Sequence, residues 1–476
     1  MNRARFTAFL LAATLAAIPA AQLRGSAASL PDDPATIAHV LNRLTFGPRQ
    51  GEVERVRQVG LAAWLDQQLH PASIDDHAAE ARLPQLQDPP DSTDGKELRR
   101  FARRQIVTLA SGKMLRASYS ERQLQEVLVD FWFNHFNVYA AKGRIAEHLP
   151  AYESEVIRPR VFDHFRDLLE ATAKSPAMLF YLDNRLSVAP DGDPGSGIRD
   201  QRRQRVQRRR FSLIPDPRFP IPANDKSKKR ARGLNENYGR ELMELHTLGV
   251  DGGYTQQDVI AVARAFTGWT IDRGGDFRFV PALHDNGTKV VLGHTIRSGG
   301  GMDDGEKVLE ILASHPSTAH HIAFELAQRL VADEPPPALV DRAAARFRET
   351  NGDLREVVRT IVTSPEFLAP AARDAKFKTP FELVVSAVRT TGADVSDGRP
   401  FVKVLQQLGQ PLYMCQPPTG YRDTAEAWVS AGGLVNRMNF ATRLASGSMP
   451  GVTLPADAAP SNELALRLGS PEFQRH

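Results

Sequence analysis

Apolar residues recur at helical spacing along most of this chain, while runs alternating with a period of two are few. That pattern predicts a mainly α fold, because a 3.6-residue stripe cannot lie flat on a pleated sheet. Asp33-Pro34-Ala35-Thr36 opens a first helix that runs through Leu44, with Pro34 suited to its first position. Gln50 to Gln58 and Leu61 to Leu69 follow, punctuated by Gly60 and Pro71. Ser120 and Gln123 read as a capping box for a helix that carries Leu124, Val127, Leu128, Phe131 and Trp132 on one face. Further helices are expected over Phe162 to Ala173, from Ser175-Pro176, over Asp304 to Ala313 and Thr318 to Val331, and from Ala338 through Thr363. Asn286-Gly287 between short extended runs predicts a small β-hairpin near residues 277–292.

A single cysteine, Cys415, rules out an intramolecular disulfide, so stability must come from an apolar core. Arg3 and Arg5 precede an apolar run from Phe6 to Ala21 and then small residues, the layout of a secretory signal over residues 1–28. No later run approaches the ~20 apolar residues of a membrane span. The expectation is a processed, non-transmembrane chain, periplasmic or secreted.

Charge is concentrated in one place. Residues 199–232 hold thirteen Lys or Arg against three Asp, a local +10 in a chain whose total is +4. Pro and Gly crowd the same stretch, so 185–232 reads as a flexible Arg-rich insertion between an N-terminal helical lobe (29–184) and a central and C-terminal lobe (233–449), with 450–476 as a tail. Arg208, Arg209 and Arg210 are its densest point: a solvated loop with no partner is the leading reading, and an anionic polymer suits the charge better than specific nucleic acid does.

The stretch Asn235 to Trp269 gathers polar side chains around a Gly-rich junction. On a helix from Asn237 to Leu248, Asn237, Arg240, Glu241 and Glu244 share a face, and Glu241 with Glu244 could hold a cation. Glu236, Arg240 and Glu244 equally form a plain charge ladder, and His246 falls on an apolar face where a core histidine is the commoner outcome. Gly249 to Thr255 lacks the alternating oxygen ligands of a calcium loop; Thr255 with Asp258 reads instead as a capping box and Gly249 as a helix C-terminal glycine. If the His135 helix end, this helix and the His284-Asp285 hairpin converge, His135, Glu244, His246 and His284 would ligate zinc or iron with an open position. A metal-bound water could then be delivered to an ester, amide or glycosidic bond, with Glu241, Glu244, His284 and Asp285 as catalytic groups and Lys289 steadying an anion. There is no Gly-x-Ser-x-Gly elbow, no phosphate loop and no zinc-type cysteine pair, and Cys415 has no suggestive neighbour.

Several ordered motifs carry a resemblance: His39-Val40-Leu41-Asn42-Arg43-Leu44-Thr45-Phe46-Gly47-Pro48, Phe131-Trp132-Phe133-Asn134-His135-Phe136, the Asn235 to Trp269 block, His284-Asp285-Asn286-Gly287-Thr288-Lys289, His315-Pro316-Ser317-Thr318-Ala319 and Asn436-Arg437-Met438-Asn439-Phe440-Ala441. With these the chain resembles the bacterial exported family known as domain of unknown function 1800. The resemblance spans about residues 35 to 445 and implies a phosphatase-like or sulfatase-like exported partner, but no activity. Two functions stay open from the sequence: a metal-dependent hydrolase of an envelope or environmental polymer, and a non-catalytic helical scaffold that uses the basic insertion.

Overall fold

A computed structural model describes residues 30–88, 90–92, 94–190 and 233–476. The expected signal at 1–28, and the expected basic insertion with Arg208, Arg209 and Arg210, fall outside the described residues apart from residues 185–190. The described chain is helical, with three two-stranded antiparallel sheets as its extended structure. Most of its buried apolar side chains form one continuous cluster from Ile37 to Leu468. Among the described residues no helix is long and apolar enough to cross a membrane.

Local signals set most helix starts. Asp33 accepts hydrogen bonds from the backbone N–H groups of Ala35 and Thr36 ahead of the helix Pro34–Leu44, which buries Ile37, Val40, Leu41 and Leu44. Helices Glu52–Val59 and Leu61–Leu69 meet at Gly60, whose φ of +88° suits glycine. Thr255 and Asp258 form the expected capping box at the start of Gln256–Ala265, and Gly249 has a positive φ after Glu236–Glu244. The stretch 338–363 is two helices, Pro337–Glu349 and Leu354–Val362, because Asn351 and Gly352 both turn left-handed between them.

Three details depart from the sequence pattern. Ser120 does not cap the helix Gln123–His135, because its hydroxyl donates to Asp76 at 2.8 Å while Gln123 binds Phe46 N–H and two carbonyls. The region near 277–292 forms two hairpins, β1 (Trp269–Ile271) with β2 (Phe277–Phe279), and β3 (Lys289–Val291) with β4 (His294–Ile296). Neither turns at Asn286-Gly287; the β3–β4 turn is Leu292-Gly293, the pair with positive φ that a type I′ turn demands. The longest helix, Gly95–Tyr119, lies where the sequence reading placed none.

Residues 450–476 are packed onto the body. β6 (Val452–Thr453) pairs with β5 (Asp394–Val395), the helix Asn462–Gly469 lies on Ala431–Ala445, and His476 exchanges backbone hydrogen bonds with Lys376.

Candidate functional site

Two helices and a loop form most of the lining of a half-open cavity of about 260 Å³. Gln123–His135 contributes Asp130, Phe131, Asn134 and His135. Pro316–Leu330 contributes His321, Glu325 and Arg329, spaced four residues apart so that they stack along one face. The third wall is the loop 410–423. It is held by amides: Asn134 Nδ2 donates to the Tyr421 carbonyl at 2.8 Å, and Asn137 Nδ2 donates to the carbonyls of Cys415 and Pro417.

Glu325 sits between two imidazoles. His135 Nδ1 lies 2.6 Å from Oε2 and His321 Nε2 lies 3.6 Å from Oε1, while the Glu325 side chain keeps 30% of its exposure. Burial pushes the Glu325 carboxyl up, but His135 outweighs it, and the net shift is below the ordinary carboxylate range. Burial lowers His321 despite the neighbouring Glu325. His135 Nε2 faces the His246 carbonyl at 3.3 Å. The His246 ring itself is enclosed beside Phe136, and burial takes it down to about 3, the behaviour of a neutral core histidine.

Deeper in the wall lies a network of buried charges. Lys113 reaches Asp130 at 2.8 Å and Glu153 at 3.9 Å, and Arg329 reaches Glu382 at 2.5 Å, Asp423 at 3.6 Å and Asp130 at 4.0 Å. Lys376 touches Asp423 at 3.5 Å and Asp333 at 2.7 Å. Asp423 is nevertheless under-served. Its Oδ2 is enclosed without a hydrogen-bond partner, and burial raises its carboxyl despite Lys376 and Arg329.

Of the residues singled out in the sequence, His135 and Glu244 line this cavity; Glu244 accepts the Tyr254 hydroxyl at 3.0 Å. Glu241, half-buried and raised by burial and then by Glu244, does not. His284, Asp285 and Lys289 belong to a separate buried cluster, so the three elements do not converge. The two ring nitrogens of His284 face Thr267 O at 2.8 Å and Asp304 at 3.2 Å, and Asp285 pairs with Arg264 at 2.7 Å. Lys289 Nζ is fully spent on Asp304 and on the carbonyls of Asp285 and Gly287. Among the described residues no group of three or more His, Cys, Asp or Glu is arranged to hold a metal ion.

The sequence reading missed Lys113, Asp130, His321, Glu325, Arg329, Gln410 and Asp423. The four-residue spacing of His321, Glu325 and Arg329 was the one local signal available.

A family model described as a protein of unknown function, DUF1800, matches residues 39–475. The chain belongs to the DUF1800 family. No curated protein and no solved structure matches it. The DUF1800 match contains every wall of the cavity, and its Phe131 to Phe136 motif now has a physical role: Asn134 clasps the third wall while His135 holds Glu325.

Proposed function

We propose that this protein is an exported hydrolase of an envelope or environmental polymer, working by general acid–base catalysis in the cavity between Gln123–His135 and Pro316–Leu330. One observation carries the reading: two carboxyl groups lining the same cavity are pushed in opposite directions, Glu325 down and Asp423 up. A split of that sign suits Glu325 to the role of base and Asp423 to that of acid. Glu325, steadied by His135, takes a proton from water as the water oxygen bonds to the electrophilic carbon. Asp423 gives its proton to the departing oxygen, and exchange with solvent restores both groups. His135, His321 and Glu244 do not form a set that fits a metal, because the two imidazoles face Glu325 and Glu244 faces Tyr254. No step is therefore routed through one.

The test compares the full chain with Glu325→Gln and Asp423→Asn on fluorogenic esters, amides and glycosides, with melting curves beside each. Hydrolysis reduced at least ~100-fold in both folded variants supports the reading. Equal rates in all three proteins would sink it. The absence of any hydrolysis, together with salt-sensitive binding to an anionic polymer, would favour the scaffold reading, which rests on the +10 charge of residues 199–232.

A further inference from the structure

We infer that the cavity takes a single neutral sugar ring of a glycan, and that the bond cut there is glycosidic; the cleavage part rests on the acid–base reading above. The volume comes first. At about 260 Å³ the cavity falls below the ~300–1,000 Å³ of pockets for drug-sized ligands, and so admits one ring-sized unit of a longer chain.

The wall chemistry comes next. Tyr413 donates its hydroxyl to Glu153 and Tyr421 donates its hydroxyl to the Pro411 carbonyl, so both polar handles are already used. With Phe131 and Phe133 they give the wall four aromatic rings. Flat apolar rings beside a few fixed polar groups suit a molecule with a C–H face and a hydroxyl edge.

A matching donor is waiting. Gln410 is 7% exposed, and its Oε1 is fixed by the Phe381 N–H at 2.8 Å. That orients the amide and leaves its NH₂ group in the cavity wall with no protein partner. That nitrogen is not among the enclosed, unpartnered side-chain atoms, so it faces the cavity solvent, where a ligand oxygen can replace water as its acceptor.

Charge weighs against the main competitors. Lys113 and Arg329 are each matched by carboxylates, and even with the exposed Arg422 the lining cations do not outnumber Asp130, Glu244, Glu325 and Asp423, so the cavity carries no net positive charge to draw a phosphate or a peptide carboxylate. A neutral polyhydroxyl ligand fits this balance. Two carboxyl groups lining one cavity, Asp423 and Glu325, are also the equipment for glycoside hydrolysis: Asp423 protonates the glycosidic oxygen as its bond to the anomeric carbon breaks, and Glu325 deprotonates the water that bonds to that carbon.

The test uses the full chain, with glucose, galactose and N-acetylglucosamine as ligands in saturation-transfer NMR. The 4-methylumbelliferyl glycosides of the same sugars and 4-methylumbelliferyl acetate serve as substrates. Gln410→Glu keeps the acceptor for Phe381 and removes the donor, so it separates folding from recognition; Gln410→Ala is its companion. The expected result is binding of at least one sugar, weakened about tenfold or more in both variants, with cleavage of the matching glycoside lost in Asp423→Asn. Cleavage of the acetate with no sugar bound and no glycoside cleaved overturns the sugar inference and leaves the acid–base reading standing. Sugar binding that depends on Gln410 without any hydrolysis supports the sugar site and overturns the hydrolase reading. Sugar binding that both Gln410 variants leave unchanged overturns the inference.

Discussion

Asn134 grips Tyr421 twice: its Nδ2 donates to the Tyr421 carbonyl at 2.8 Å and its Oδ1 accepts the Tyr421 N–H at 2.7 Å. One side chain thus imitates a strand neighbour for a loop residue 287 positions away. Gly420 makes the approach possible. A Cβ there would lie 2.4 Å from the Asn134 carbonyl oxygen, and its φ of +67° already disfavours other residues.

Asn134→Ala removes both hydrogen bonds and should cost about 1–3 kcal/mol, at ~0.5–1.5 each. Gly420→Ala should destabilise by at least as much, through steric displacement rather than lost hydrogen bonds. Denaturant titration of both variants checks this, with hydrogen exchange at residues 415–423 as the local readout. Unchanged exchange there would show that the clasp does not hold the loop.

Acid should unfold the protein through its enclosed histidines. Burial lowers His39 to about 4 and His246 to about 3, from an ordinary 6.5. A base whose folded value is depressed binds its proton more readily when unfolded, so its stability contribution is complete above about pH 6.5. That contribution is lost as pH falls from 6.5 towards 4 for His39 and towards 3 for His246, at up to about 1.4 kcal/mol per pH unit for each. Stability measured by urea between pH 7.5 and 4.5 should fall steadily. A flat profile would mean these rings are not enclosed.

Lys289→Met should be among the most damaging single changes outside the cavity. Asp304 would lose a cation 2.6 Å away while remaining buried, and removing one partner of such a pair costs about 3–5 kcal/mol. A loss below 1 kcal/mol on thermal melting would place Lys289 in a more hydrated setting.

Chelation should leave function untouched. Elemental analysis of the purified chain and of His135→Ala is expected to give no stoichiometric zinc, iron or manganese, and dialysis against EDTA should not change ligand binding or hydrolysis. One tightly held metal per chain, absent in the variant, would restore the metalloenzyme alternative.

What could be read from sequence was short-range. Pro34, the Thr255 and Asp258 box and Gly249 each act within a few residues, where one sequence suffices to show the hydrogen bonds. Ser120 misled because its hydroxyl had a better partner 44 residues away, and Asn286-Gly287 lost the hairpin turn to Leu292-Gly293. The cavity was less legible still. His135 was singled out, but its partner Glu325 lies 190 residues on and looks like any charged position of an amphipathic helix. Lys113 hides in Gly95–Tyr119, whose Arg-rich first half blurs the apolar stripe.

The three walls come from segments far apart in sequence, around residues 130, 325 and 415. Anything seated between them therefore acts as a cross-link between widely separated parts of the chain, and a ligand at a thousand times its dissociation constant would add about 4 kcal/mol to the unfolding free energy. A thermal-shift screen thus reads occupancy from the melting of the whole molecule, and can find the ligand before any reaction is known.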